Sequence, residues 1–114
     1  TAFSAHEHRF GVHAGEVETS MLLHLAPEQV QMARAQNFAS TSATRAQRFA
    51  ILGNGKSAKL GWAMQDYNPA GAAGNAAAAD AQRGQALVEA AAQGLAQLLQ
   101  EMHQLPLDTV GPAY

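Results

Sequence analysis

The stretch HAGEVETSMLLHL, His13 to Leu25, sets one histidine and two carboxylates immediately ahead of an apolar run. Burying such a cluster costs solvation free energy unless water or a cation satisfies it. Val17, Met21, Leu22 and Leu25 recur near helical spacing, Glu16 and Glu18 fall in what would be the first turn, and Pro27 stops the run. The spacing predicts a short helix that begins near Gly15. The positive end of a helix favours carboxylates, so Glu16 and Glu18 have one explanation that needs no ligand. The other is chemical. Imidazole and carboxylate are ligands for zinc, manganese or iron, and on a strand-to-helix turn His13, Glu16 and Glu18 can converge on one point. Spacing alone leaves both open, since no HExxH helix motif is present.

Upstream, TAFSAHEHRFGV (1–12) is mixed and reads as an extended segment or loop. His6 and His8 would share a side if extended, a metal pair at most, with a solvated loop as the plainer explanation. Thr1 could act as an N-terminal nucleophile through its own α-amine, although no matching base is evident. The chain opens on Thr1 rather than Met, which suggests processing or truncation.

Downstream, PEQVQMARAQNF (27–38) offers a turn of helix or a short extended piece, and residues 39–79 read as loop-rich ground, small and polar with several glycines. Within it KLGWAMQ (59–65) suggests a short strand, and DYNPAGAAGN (66–75) carries turn signals. GNGKSAKLG (53–61) only superficially resembles a phosphate loop, for it lacks the required spacer between glycine and Gly-Lys-Ser. Trp62 and Tyr67 could line a pocket or simply pack. From spacing alone, Asp66, Asn68 and Asn75 are better suited to holding loop backbone. His24 and His103 fall on helices and receive no role.

The last element is the plainest. From Asp80, an N-cap, to Gln104, the residues Leu87, Ala91, Leu95, Leu98 and Met102 mark one face of a single amphipathic helix, ended by Leu105-Pro106. Gly84 and Gly94 weaken a helix by about 1 kcal/mol each and are better understood as close-packing points. Two helices, a long loop and little strand make a poor core, which hints that another polypeptide segment supplies the rest of the fold.

A chain of 114 residues suits one domain. Net charge is −2 and only 14% of residues are charged, which disfavours nucleic acid and anionic membrane surfaces as partners. No apolar stretch approaches the roughly 20 residues that span a bilayer, and no signal peptide is evident. The absence of cysteine removes disulfides and thiolate chemistry and suits a reducing, cytoplasmic setting.

GVHAGEVETSMLLHLAPEQVQMARAQNF (11–38) resembles the second half of the creatininase family of metal-dependent amidohydrolases, whose signature is His-Ala-Gly-x-x-Glu-Thr-Ser followed by an apolar helix and a Pro-Glu turn. GWAMQDYNPAGAAGNAAAADAQRGQALVEAAAQGLAQLL (61–99) is similar to the family's closing segment, an Asn-Pro-x-Gly loop and Gly-Asn turn leading to a long C-terminal helix. The resemblance runs from about Phe10 to Leu105.

It implies an α/β fold, the C-terminal half of a creatininase-like layered architecture around a mostly parallel sheet, helix-rich in this chain. It also implies a centre of two divalent metals (zinc, manganese or iron) and hydrolysis of a cyclic amide or formamide. In that chemistry a metal-bound hydroxide attacks the carbonyl and a histidine gives a proton to the leaving nitrogen. His13 matches that acid, Glu18 matches the signature glutamate and is the candidate for supporting or ligating a metal, and Glu16, at a position that is often acidic in relatives, is the second metal candidate. Trp62, Asp66 and Asn68 are the substrate-side candidates.

The family's other metal motifs, Glu-x-His with a following Asp and Asn-Gly-His-Gly-Gly-Asn, belong to an N-terminal half not found here. The expectation is that residues 1–114 are the C-terminal part of one domain, completed by an N-terminal part on another chain or a processed fragment. A homo-oligomer of such pairs acting on a small-molecule amide is the expected assembly. A non-catalytic binding or assembly subunit derived from the same fold is the alternative.

Overall fold

The computed structural model describes residues 2–112. Five α-helices, two very short strands and four 3₁₀ turns follow one another along the described chain. Helix α1 spans Ala5–Phe10, where an extended segment or loop was expected. Its cause is local: the Ser4 side chain accepts the Glu7 amide proton at 3.0 Å, an N-cap that starts a helix too short to show periodicity. Helix α2, Glu16–Leu25, forms where the sequence predicts, with Gly15 as its N-cap and Ala26 at its end. Single turns of 3₁₀ helix at Pro27–Gln29 and Met32–Arg34 lead into strand β1, Asn37–Phe38.

The ground expected to be loop contains helix α3, Thr41–Arg48, capped by Ser40. It is mostly polar, so it offers little apolar stripe to read. KLGWAMQ forms no strand. Residues 60–63 are irregular, and Met64–Tyr67 make the one-turn helix α4, started by Asp66, whose carboxylate accepts the Ala63 amide proton at 2.8 Å. A strand needs a partner for its backbone, whereas this turn satisfies its own.

Strand β2, Gly74–Asn75, pairs antiparallel with β1, with Asn37 opposite Asn75 and Phe38 opposite Gly74. That two-stranded ribbon is the sheet of the described residues, so a mostly parallel sheet is not built by them. An isolated antiparallel bridge between His13 and Ala73 continues the same seam.

Helix α5, Ala81–Gln104, starts at Asp80, whose side chain accepts the Arg83 amide proton at 2.8 Å. It packs against α2. At the contact Gly84 lies directly against the Ser20 carbonyl, where a Cβ would overlap it, and the fully buried Ser20 hydroxyl accepts the Asp80 amide proton at 3.1 Å. Gly84 is therefore the close-packing point that its place in a helix suggested. Gly94 has open space around it, so that explanation does not extend to it.

The apolar core is Phe3, Tyr67, Ala72, Ala73 and Ala76, mostly small residues. Beyond Gly94, by contrast, Leu95, Leu98, Leu99, Met102 and Leu105 are all exposed. The radius of gyration is 18.2 Å, against roughly 13 Å for a compact chain of similar length. The difference follows from the far half of α5, which extends past the body that α2 covers.

Candidate active site

The turn from His13 to Gly15 is stitched to the segment before β2. Val12 and His13 both donate backbone protons to the Ala73 carbonyl, at 2.9 and 3.4 Å, and Ala73 donates back to His13 at 2.9 Å. Ala14 has φ of 52°, a left-handed conformation that a residue with a Cβ adopts only under constraint. The constraint comes from Glu18, whose Oε2 accepts the Ala14 amide proton at 3.1 Å. The other oxygen of Glu18 lies 3.8 Å from Nδ1 of His13. One carboxylate thus shapes the turn and faces the imidazole.

Both side chains stay open to solvent, His13 by 59% and Glu18 by 50%. They border an open cavity of about 360 Å³ together with Thr19, Leu22, Val30 and Gln31. An imidazole and a carboxylate side by side at a cavity rim can bind a substrate proton donor, hold a proton, or contribute to a cation site.

Glu16 is placed differently. Its Oε1 accepts from Nη1 of Arg83 at 2.5 Å, and the residue is buried. Arg83 also donates to the carboxylate of Asp80 and to the backbone carbonyls of Ala2 and Ala78, and it covers the ring of Phe3 at 4.8 Å. The Arg83 amide and guanidinium hold the Asp80 carboxyl below its ordinary value of 3.8, and the two carboxylates raise Arg83. Arg83 is a hub that sequence spacing did not reveal, because Glu16, Ala2 and Phe3, which it joins to the head of α5, are far away along the chain.

Trp62, Asp66 and Asn68 form a second cluster. Trp62 stacks on Tyr67 with ring centroids 4.3 Å apart, and Tyr67 donates its hydroxyl proton to Asn54 at 2.6 Å. Asp66 caps α4, and Asn68 accepts from the Ala70 amide while donating to the Ala39 carbonyl. Trp62, 43% exposed, borders a separate cavity of about 250 Å³ with Asn54, Gly55, Lys59 and Leu60. Among the described residues the structure therefore brings His13 and Glu18 together, ties Glu16 to Arg83, and keeps the Trp62 cavity apart.

His6 lies 5.0 Å from the Phe10 ring and His8 6.2 Å from that of Phe3, on a helix rather than an extended pair. Glu7 between them is buried. No group of three or more His, Cys, Asp or Glu side chains among the described residues is arranged to hold a metal ion. Thr1, considered above as a nucleophile, lies outside the described residues.

The chain is similar to a solved structure of a candidate creatinine amidohydrolase from Bacteroides fragilis NCTC 9343, with 28% identity and a TM-score of 0.67. The match covers 93% of this chain and 39% of that one, so this chain spans well under half the length of its relative. No curated protein matches it. The family model for creatininase, described as creatinine amidohydrolase, matches residues 1–99, and the chain belongs to the creatininase family.

Proposed function

We propose that this chain is the C-terminal part of a metal-dependent amidohydrolase that cleaves the C–N bond of a cyclic amide or formamide, and that it works together with the remainder of its domain. The observation that carries the reading is the signature turn itself: the match to the family includes it, and it folds so that an exposed His13 meets Glu18 at 3.8 Å. In such a hydrolysis water adds to the carbonyl carbon, the C–N bond breaks, and the nitrogen leaves with a proton. In this reading His13 supplies that proton, and the Glu18 carboxylate faces its imidazole.

Members of the family generally use a divalent metal such as zinc. The donors assembled here are one imidazole and one exposed carboxylate, with Glu16 occupied by Arg83. That set does not by itself fit a divalent ion, which takes at least three protein ligands in catalytic zinc sites. The remaining ligands, and the mostly parallel sheet, belong in this reading to the N-terminal part of the domain. Support comes from the 39% coverage of the solved relative and from the apolar half of α5 that the described residues leave bare. Trp62, with Asp66 and Asn68 fixing its loop, would join the substrate pocket only in the completed domain. A homo-oligomer of completed domains in the cytoplasm belongs to the same reading. No helix of the described residues is long and apolar enough to cross a membrane.

The test is native mass spectrometry of the protein purified from its own cells, followed by hydrolysis assays on creatinine, other cyclic amides and formamides with wild type and His13→Ala. A completing chain with bound divalent ions is expected, and His13→Ala should lower kcat by roughly 10²-fold or more. Unchanged turnover would remove His13 from the chemistry. A complex that assembles normally but hydrolyses no amide would instead favour a binding or assembly subunit.

A further inference from the structure

The buried carboxylate of Glu7 takes no part in the reading above, yet it joins the start of α2 to β2, on either side of the His13 turn. We propose that Glu7 is a positioning residue that holds His13 and Glu18 in register. Only the consequence for turnover rests on the reading of His13 as proton donor; the geometry stands apart from it.

Glu7 is 4% exposed. A carboxylate so far from water needs strong partners, and its partners are two backbone amides. Oε1 accepts from Glu16 at 2.8 Å, and Oε2 accepts from Asn75 at 3.1 Å. The first of these is the opening amide of α2, whose own N-cap is Gly15 and offers no side chain. Glu7 therefore caps α2 from nine residues upstream and, with its other oxygen, ties that helix to β2.

Three glycines from three places make room for it. A Cβ on Gly11, Gly15 or Gly74 would come within 2.5 to 2.6 Å of Oε1, and Gly74 in addition has φ of 137°. That much space conceded to one carboxylate is a built cradle. The turn it grips is the strained one: Glu18 holds the Ala14 amide, and Glu7 holds the Glu16 amide two residues on. Releasing Glu16 would loosen the first turn of α2, which carries Glu18, and with it the hold of Glu18 on Ala14 and its approach to His13.

Glu7→Gln keeps the shape and replaces one acceptor oxygen by an NH₂ donor, which must face one of the two amide protons whichever way it is turned. The experiment is amide hydrogen exchange and nuclear Overhauser contact by NMR on the full 114-residue chain, wild type against Glu7→Gln. In the wild type, protected Glu16 and Asn75 amides are expected. In Glu7→Gln their exchange should quicken by roughly tenfold or more, and the contact between the His13 ring and the Glu18 side chain should weaken, with the centre of α2 and α5 still protected.

In the completed enzyme kcat for creatinine should fall by roughly tenfold with KM nearly unchanged. A lower melting temperature with the His13–Glu18 contact and kcat intact would reduce Glu7 to a structural residue and overturn the proposal. Should Glu7→Gln not fold, Glu7→Asp, whose shorter side chain cannot reach both amides, takes its place with the same readouts: a weakened His13–Glu18 contact would support the proposal and an intact one would overturn it. If His13→Ala leaves turnover unchanged, the functional reading fails while the NMR contact still judges Glu7.

Discussion

Arg83 shows how one side chain can link distant parts of a small core. It neutralises Glu16, grips Asp80 at the head of α5, and lies over Phe3, which is itself buried. Removing it leaves the Glu16 carboxylate buried without its cation. Arg83→Ala should therefore cost roughly 2–4 kcal/mol, reduced from the fully buried case because Arg83 is 29% exposed. Urea denaturation measures it, and a loss below about 1 kcal/mol would mean that Glu16 finds water or another donor. Asp80 adds a pH dependence. Its folded carboxyl ionises more readily than the unfolded one, so its contribution is whole above 3.8 and is lost as pH falls through the lower folded value. Asp80→Asn should lower thermal stability near neutrality, where the carboxylate's contribution is whole, and flatten the further loss below about pH 4. An unchanged acid limb would assign the acid sensitivity to other carboxylates.

At the scale of elements, the α2–α5 contact depends on a missing side chain. Alanine is the better helix former by about 1 kcal/mol, so Gly84→Ala would stabilise α5 in isolation. Here its Cβ would meet the Ser20 carbonyl, and backbone cannot move aside as a flexible side chain can. A net loss of about 2 kcal/mol or more is expected from thermal unfolding. Gly94→Ala, in open space, should raise stability by up to about 1 kcal/mol, and the opposite signs are the test.

The same comparison shows what the sequence could disclose. Helices α2 and α5 were legible because period and caps agreed over ten and 24 residues. Helices α1 and α3 were not, since one is a single capped stretch of six residues and the other is nearly all polar. At the site, His13 and Glu18 could be paired through the family signature. Arg83 and Glu7 could not, because their partners lie 67 and 68 residues away in Glu16 and Asn75, and no local pattern encodes such contacts.

For the whole molecule, the distribution of apolar surface is the informative quantity. The near half of α5 is packed on α2, while the far half presents Leu95, Leu98, Leu99 and Met102, and Leu105 just after it, to solvent at half exposure or more. A helix of 24 residues is about 36 Å long, and its second half amounts to some three turns of uncovered stripe. Apolar surface of that extent on a helix face is suited to packing against another segment. Two outcomes follow for Leu98→Glu with Met102→Glu. In the isolated chain these side chains have little packing to lose, so stability should stay within about 0.5 kcal/mol of wild type. If the remainder of the domain covers this stripe, as the proposed function implies, the two charges would be buried among apolar partners and assembly should fail. Unfolding curves of the isolated chain and native mass spectra of the complex read the two arms. If the complex forms as before, the stripe faces water in the whole protein and the remainder of the domain docks elsewhere; if the isolated chain is destabilised, α5 folds back on its own body in solution.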